Sequence, residues 1–411
     1  MADLFPFDLR EMPGAALLAG VRERTSLQLA ALATRLERTF LIAAPLAPGF
    51  CCLGGEVALA SEAAQAYGAT RLSVTGNGGA PDEALIACLG ETADRLSHVG
   101  RPEDIRQTGA VRDPVTDGWI GELLPDRVDG VDWMPARDAA NGAEAALPAD
   151  LCVRRPSSQR VLKPAGALSV GVAAGPDFAA AALRAGLELC ERDAAALWWL
   201  GGRRPRAFPL EHPAHQVGAK LIPALRQGRT DRETRLLDIA TELEIPAVAA
   251  ISVDRAGYGL ACGLAARLDW GDAARAAILE LCQMELAAPI AEAKRRERGD
   301  AALNETDRGH LQRAAFATRG CDLLDPRDLA TEQIKIAPAG DPLRAFVSHL
   351  NTRGARLFVV DLTRPDIDIP VARMVSPQLQ PYTTDVVTER LRRCRAANGA
   401  VDARAASVSL F

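Results

Sequence analysis

The chain has 411 residues, of which 48% are hydrophobic and 25% are charged, and its formal net charge is −5. This composition is typical of a globular protein with a large core, and the charge excludes the strongly basic character of most nucleic-acid-binding domains. The first residues lack the apolar segment of a secretory signal, and the most apolar stretch, residues 41–55, is short and interrupted by proline and glycine. We therefore expect a protein that binds neither nucleic acid nor a membrane.

The cysteines and histidines do not form a recognisable site. Nine cysteines include no C-x-x-C pair, and their odd number predicts reduced thiols and a cytoplasmic protein. The five histidines lack zinc-site spacing. The sequence also lacks a P-loop, a complete dinucleotide fingerprint and a G-x-S-x-G elbow, which excludes these common kinds of site.

Helical and strand-like patterns alternate through the first half of the chain. In order, they predict amphipathic helices within residues 16–40, a loop or strand over 41–59, a helix over 61–67 with Ser61 as N-cap, a strand over 71–75 that runs into Gly76-Asn77-Gly78-Gly79, a helix from Asp82 through Arg95, a loop over 101–120, and strands over 130–134 and 146–153.

The second half begins with a glycine- and alanine-rich turn and a long helix within residues 169–199. The patterns that follow predict helices over 214–226 and 232–244, a strand over 247–253, a strand, glycine turn and helix within 259–287, a helical segment over 288–320, a strand over 357–362, and a basic helix from residue 383. No low-complexity linker divides these elements, so the prediction is one α+β unit.

The long helix within residues 169–199 carries charged residues in an otherwise apolar segment. Glu188 and Glu191 are three residues apart and therefore share a face, and Arg192 and Asp193 follow directly. A helix that is apolar all round is normally buried, and paired carboxylates there need a cation or hydrogen-bond donors.

A related spacing occurs three times. Glu91 lies 13 residues after Gly78, Glu188 lies 13 residues after Gly175, and Glu280 lies 17 residues after Gly263. Three residues after each glutamate come Asp94, Glu191 and Gln283, and Arg95 and Arg192 follow in the first two copies. We expect equivalent helices to converge, so that the carboxylates bind Mg²⁺ and the arginines bind phosphate. The alternative is a set of Glu–Arg salt bridges that lock the helices together.

Four motifs occur in the order found in a known family. They are Gly76-Asn77-Gly78 with DEALIACLGETADRLS, then SVGVAAG with LRAGLELCERDAAALWW, then GLACGLAARLDWGDAARAAILELCQ, and finally VVDLTRPDIDIPVARMVSPQLQPY. With these motifs the chain resembles the YcaO-domain family over roughly residues 65–385.

The resemblance implies a single large YcaO-like domain with pseudo-repeated strand–glycine turn–helix units around a central ATP site. It implies an N-terminal helical or irregular region over 1–60, the catalytic domain over 61–390 and a C-terminal tail over 391–411. It also implies an ATP- and Mg²⁺-dependent enzyme that phosphorylates a backbone amide oxygen in a ribosomally made precursor peptide. Attack by a neighbouring Cys, Ser or Thr then gives thiazoline or oxazoline, whereas attack by external sulfide gives a thioamide.

The family's site residues are carried over onto matching positions. Glu91, Asp94, Glu188 and Glu191 are expected to bind the metal. The full set expected to bind the nucleotide is Glu91, Asp94, Arg95, Ser169, Glu188, Glu191, Arg192, Glu280 and Gln283. No catalytic residue is assigned.

The chain differs from the family's common pattern at several points. Asn77 stands where many members have lysine, Asp94 replaces a glutamate, residues 179–182 are all alanine where many members carry an acid, and the chain ends SVSLF rather than in a proline-rich tail. These differences leave three functions open: azoline formation, thioamidation with a TfuA-type partner, and a non-catalytic peptide-binding scaffold. No separate leader-binding domain is visible, so we expect an E1-like (ThiF-like) or TfuA-type partner protein, and a homodimer is an open alternative.

Overall fold

Three β-sheets and the helices packed on them make up the structure, a computed structural model. It describes residues 10–11, 25–105, 131–162, 169–326, 328–330, 340–382, 386–399, 405 and 407–410. The strands are β1 (Arg10–Glu11), β2 (Leu36–Ile42), β3 (Cys51–Ala58), β4 (Arg71–Gly78), β5 (Trp133–Asp138), β6 (Glu144–Pro148), β7 (Val172–Ala174), β8 (Arg206–Ala207), β9 (Arg232–Asp238), β10 (Ala247–Asp254), β11 (Ala261–Ala266), β12 (Asp328–Leu329), β13 (Phe358–Asp361) and β14 (Val371–Val375).

The helices are distributed along the whole described chain. They are α1 (Thr25–Ala33), α2 (Ser61–Tyr67), α3 (Pro81–Ser97), α4 (Ala149–Cys152), α5 (Phe178–Trp199), α6 (Pro213–Arg226), α7 (Trp270–Arg298), α8 (Glu305–Ala315), α9 (Pro342–Thr352) and α10 (Glu389–Asn398). Within the described ranges, no helix is both long and apolar enough to cross a bilayer.

The sheets have the strand orders β1-β2-β3-β4, β11-β10-β9-β8-β12 and β6-β5-β13-β14-β7. Their pairs are antiparallel except for the parallel pair β8–β12. Helix α3 packs on β3 and β4, α5 on β7 and β14, and α7 on β10 and β11. Because α3 also contacts β7, and α5 also contacts β11, these three long helices bring the three sheets together. The α+β prediction is confirmed.

The long helices begin at side-chain caps that the sequence supplies. The Asp177 carboxylate accepts a hydrogen bond from the Ala180 amide at 2.7 Å, and Asp269 caps the amides of Gly271 and Asp272 at the start of α7. Small residues then let α5 pack closely. A Cβ on Gly186 would lie 2.6 Å from Cε1 of Phe346, so α9 can approach α5 only because residue 186 is glycine.

Several predicted helices are strands in the structure. The predicted helix over 232–244 was wrong, because residues 232–238 form β9 and pair with β10 and β8. The predicted helices within 16–40 were wrong for residues 36–40, which belong to β2, and residues 16–24 lie outside the described residues. Residues 36–42 and 51–58 form β2 and β3 in the sheet that contains β4, and residues 43–50 between them are irregular.

Other predictions need smaller corrections. The predicted strand over 146–153 ends at Pro148 and continues as α4. Ser61 is the first residue of α2, and Ala60 is its N-cap. Most of the loop predicted over 101–120 lies outside the described residues. The helices over 61–67 and 214–226 and the strand over 247–253 are confirmed.

Two predicted glycine turns lie inside strands. Gly76 belongs to β4 and Gly263 to β11. A Cβ on Gly76 would lie 2.1 Å from the carbonyl oxygen of Ala84, and one on Gly263 would lie 2.2 Å from the amide nitrogen of Leu281. These glycines therefore let the following helix approach its strand, which is a different role from making a turn.

Candidate functional site

Carboxylates from α3, α5 and α7 form one electrostatically coupled group. Asp94 on α3 interacts with the charge of Glu188 on α5, and Glu188 in turn interacts with Glu91 on α3. Glu280 on α7 interacts with both Glu188 and Glu191. The structure therefore brings together the acids that the sequence placed on three separate helices. We call these five residues the acidic cluster.

Glu188 is held by its own helix and by the turn that precedes it. Its Oε2 atom accepts a hydrogen bond from the Gly171 amide at 2.9 Å, and its Oε1 atom lies 3.6 Å from the Arg192 guanidinium. Gly171 has a φ of 79°, a left-handed conformation that glycine adopts without strain. The Glu188 side chain remains 29% exposed, so a ligand can reach it.

Glu191 and Glu280 are held against strand β11. Oε2 of Glu191 accepts a hydrogen bond from the Ala266 amide at 3.3 Å, and Oε2 of Glu280 accepts one from the Leu264 amide at 2.8 Å. Burial raises the pKa of both carboxyls, although the Arg192 charge opposes the change. Strand β11, at the edge of its sheet, therefore positions one carboxylate from α5 and one from α7.

Helix α3 contributes a partly exposed ion pair and a buried carboxylate oxygen. Glu91 pairs with Arg95 at 2.7 Å, one turn later on the helix. Asp94 has a buried Oδ1 atom with no hydrogen-bond partner. Burial raises the pKa of Asp94 well above its ordinary value, and the charges of Glu91 and Glu188 raise it further. A buried, unsatisfied carboxylate oxygen is where a cation would be bound favourably.

Gln283 and Ser169 have different positions relative to this group. The Gln283 carbonyl oxygen accepts a hydrogen bond from Asn77 at 2.6 Å, and its amide donates to the Thr75 hydroxyl at 3.1 Å. Gln283 therefore ties α7 to β4. Ser169 lies in the turn two residues before Gly171 and is half-buried.

Asp193, next to Glu191 and Arg192, points elsewhere. It is fully buried, receives two hydrogen bonds from Arg390 at 2.7 and 2.9 Å, and accepts another from the Gln380 amide. Asp193 therefore holds α10 against α5 and lies outside the acidic cluster.

Two arginines near the cluster were not among the sequence-predicted residues. Arg373 is a buried residue in β14 that donates to the carbonyl oxygen of Val170, and it interacts with Glu188. Arg267 follows β11 and lowers the pKa of both Glu191 and Glu280. Both could have been predicted from the sequence, because Arg267 lies in the third motif and Arg373 in the fourth. Arg373 is also the one charged residue of the apolar run VARMV.

The alternative in which salt bridges join the helices stays a prediction, because ion pairs occur both within and between them. The Arg95–Glu91, Arg192–Glu188 and Arg192–Glu191 pairs each lie within one helix. Links between elements are made by amides, such as those from β11 to Glu191 and from Asn77 to Gln283, and also by a salt bridge between Arg275 on α7 and Glu83 on α3 at 2.9 Å.

The donor chemistry of the acidic cluster fits Mg²⁺ together with phosphate. Oxygen ligands are what Mg²⁺ prefers, and in nucleotide sites it is usually held by one or two carboxylates and by the phosphates themselves. In the described part of the chain, no three His, Cys, Asp or Glu residues are grouped tightly enough to bind a metal unaided. The buried Oδ1 of Asp94 and the accessible Glu188 are the two best-suited carboxylates.

The buried Glu191 carboxyl should lower the free energy of unfolding of the metal-free protein as the pH rises. Burial raises its pKa from 4.5 to about 7, so the folded state keeps a proton that the unfolded chain loses. The resulting stabilisation is complete below pH 4.5 and is lost as the pH rises to about 7. We expect Glu191→Gln to remove this loss. Urea unfolding in EDTA should show the variant gaining stability relative to the native protein between pH 5 and pH 7, and parallel profiles would contradict the assignment.

Solved structures with this fold are known. A heterocyclase in complex with substrate and cofactor matches with a TM-score of 0.67 and 21% identity over 96% of this chain and 57% of the heterocyclase. YcaO from Methanopyrus kandleri bound with AMPPCP and Mg²⁺ matches with a TM-score of 0.62 and 17% identity over 90% of this chain and 91% of that chain. The E. coli microcin synthetase McbBCD complex with pro-MccB17 bound matches with a TM-score of 0.56 and 14% identity over 83% of this chain and 92% of that chain.

A match between the sequence and a family model identifies the family. The family model described as YcaO cyclodehydratase, ATP- and Mg²⁺-binding, matches residues 75–380, which include the α3, α5 and α7 motifs. The chain therefore belongs to the YcaO cyclodehydratase family. ATP and Mg²⁺ are the cofactors that the family model describes. Comparison with curated proteins gave no match.

Proposed function

We propose that this enzyme cyclodehydrates Cys, Ser or Thr residues of a ribosomally synthesised precursor peptide to thiazoline or oxazoline. The observation that carries the proposal is the acidic cluster from α3, α5 and α7, with Arg95 and Arg192 beside it, in a chain of the YcaO cyclodehydratase family. Bound ATP and Mg²⁺ would supply a phosphoryl group that converts the amide oxygen into a leaving group.

The residues of the cluster divide between two tasks in this proposal. Glu91, Asp94, Glu188 and Glu191 would hold Mg²⁺, and Arg95 and Arg192 would bind phosphate oxygens. Glu280, Gln283 and Ser169 complete the proposed nucleotide site.

This arrangement is supported by how firmly the protein fixes the Mg²⁺-binding carboxylates. Glu188 and Glu191 each accept a backbone amide before any ligand binds, so their orientation is set in advance. Burial also raises the pKa of Glu188, Glu191 and Asp94, and a bound cation would stabilise their charged forms.

The product mass tests the proposed reaction. The enzyme is incubated with ATP, Mg²⁺ and each short Cys/Ser-rich peptide and candidate partner protein that a survey of its neighbouring genes identifies. We expect products lighter by one water per ring, with release of phosphate. A product in which sulfur replaces an amide oxygen, formed only when sulfide is supplied, would instead assign thioamidation. Peptide binding without any ATP turnover would assign the non-catalytic scaffold.

We also propose that a leader-binding partner delivers the peptide, either an E1-like (ThiF-like) or a TfuA-type protein. A similar structure, the E. coli microcin synthetase, is itself a multiprotein complex. Full activity of the purified chain alone would count against a required partner. The nine free cysteines support a cytoplasmic setting for the reaction.

A further inference from the structure

A cavity lies outside the acidic cluster. It has a volume of about 500 Å³ and lies between the second half of α7, helix α8 and the start of β11. This volume is within the usual range for small-molecule sites. Its walls are largely apolar and include Leu260, Met284, Ala288 and Leu311. None of the nine residues assigned above to the nucleotide site lines it.

Arg313 is the unusual residue in this cavity wall. Its side chain is buried, with the residue only 1% exposed. The guanidinium donates to Nδ1 of His310 at 2.8 Å and to the carbonyl oxygen of Ser409 at 3.3 Å, whereas its Nε atom has no hydrogen-bond partner. No carboxylate among the described residues pairs with it. A buried cation of this kind is unfavourable unless an anion compensates it.

The carboxylates that line the cavity are already engaged. Glu285 accepts hydrogen bonds from both terminal nitrogens of Arg226 at 2.6 Å and from the Ser252 hydroxyl, which fills its two oxygens. Glu292 pairs with Arg295 at 2.6 Å. Neither carboxylate therefore balances Arg313.

The charges of the lining favour an anionic ligand. Three arginines, Arg232, Arg296 and Arg313, line the cavity together with two glutamates, Glu285 and Glu292. Because these glutamates pair with Arg226 and Arg295, which do not line the cavity, in the described part of the chain they offset the lining arginines only through the contact of 3.6 Å between Arg232 and Glu285. Arg313 is the buried member of the three that lacks a carboxylate partner among the described residues.

We propose that this cavity binds an apolar molecule that carries a single carboxylate, with Arg313 as its anchor. The guanidinium offers free N–H groups in the planar arrangement that matches a carboxylate. The apolar body would replace water along Leu260, Met284 and Leu311. Two sources have this chemistry: a free aliphatic acid, and the C-terminal carboxylate of a peptide that ends in an apolar residue.

Calorimetric titration of the full-length protein with matched probes tests the proposal. The probes are octanoate against 1-octanol, and acetyl-Leu-Leu acid against its amide. We expect at least one acid to bind about tenfold more tightly than its neutral analogue, as a charge-assisted hydrogen bond predicts. Binding of octanoate alone assigns a free acid, and binding of the dipeptide alone assigns a peptide terminus.

Three substitutions test whether the acid binds in this cavity. Arg313→Met should reduce the affinity of the acid to that of its neutral analogue, whereas Arg296→Met, at the exposed rim, should change it less than about threefold. Ala288→Phe, which fills the cavity and keeps Arg313, should abolish binding even if Arg313→Met does not fold. Absence of binding by both acids, equal binding of the neutral analogues, or unchanged binding to Ala288→Phe would overturn the proposal.

Discussion

Replacing Glu188 with glutamine should lower ATP-dependent turnover by about 10²–10³-fold while the protein stays folded. Glu188 lies between the acids of α3 and α7, and the Gly171 amide and Arg192 fix its orientation. Glutamine keeps its size and one acceptor oxygen but removes the charge that would bind Mg²⁺. Because burial raises the pKa of Glu188, its neutral replacement should not destabilise the fold. Phosphate release and peptide product, measured together, give the turnover.

A matched control for this variant is Glu83→Gln. Glu83 also accepts the amide of a residue in the turn before its helix, Gly79 at 2.9 Å, but its partner Arg275 is exposed and it lies outside the acidic cluster. Glu83→Gln should keep turnover within about threefold of the native value. Equal losses in the two variants would mean that Glu188 acts only through local structure.

Replacing Asp193 with alanine should have its large effect on stability instead. Asp193 is completely buried against Arg390 and also accepts the Gln380 amide. Removing one partner of a buried ion pair leaves the other charge uncompensated, so we expect a loss of about 3–5 kcal/mol in the free energy of unfolding. Urea unfolding measures this loss.

Glu242 supplies the control because it binds the same arginine from the protein surface. Its side chain is 66% exposed, whereas that of Asp193 is 0% exposed. Glu242→Ala should therefore lower the free energy of unfolding by less than about 1 kcal/mol. If both variants lost the same stability, burial would not be what distinguishes the two acids.

Two helices were predicted correctly from the residue pattern, although the N-cap of α2 is Ala60 and not Ser61. Helix α6, with Pro213 as its first residue, and α2 fall where the pattern placed them. The error over residues 232–244 has a physical cause. Residues 232–238 alternate between more and less exposed side chains, and their hydrogen bonds are made to β10 and β8, which no local pattern reveals. Strand β2 was missed for the same reason, since it is fixed by pairing with β3.

For the site, the spacing of Glu91, Glu188 and Glu280 predicted that three helices converge, and their coupling in the structure agrees with this. The sequence could not show that Asp193, unlike Glu188 and Glu191, lies outside the acidic cluster. Its side chain is directed by Arg390, and this depends on where α10 packs. The sequence marks Arg373 only as a lone charge in an apolar strand, and its approach to Glu188 depends on the pairing of β14 with β7. The threefold pseudo-repeat stays a prediction, since Gly76 and Gly263 allow close helix approach rather than turns.

Binding of a non-hydrolysable nucleotide tests the role of the acidic cluster most directly. AMPPCP is titrated calorimetrically into the native protein with Mg²⁺ and with EDTA, and into Glu188→Gln and Glu83→Gln with Mg²⁺. We predict binding to the native protein and to Glu83→Gln that requires Mg²⁺, and an affinity for Glu188→Gln that is lower by about tenfold or more. Nucleotide affinity that is the same in EDTA, or the same in Glu188→Gln as in the native protein, would contradict the assignment of this cluster as the Mg²⁺–ATP site.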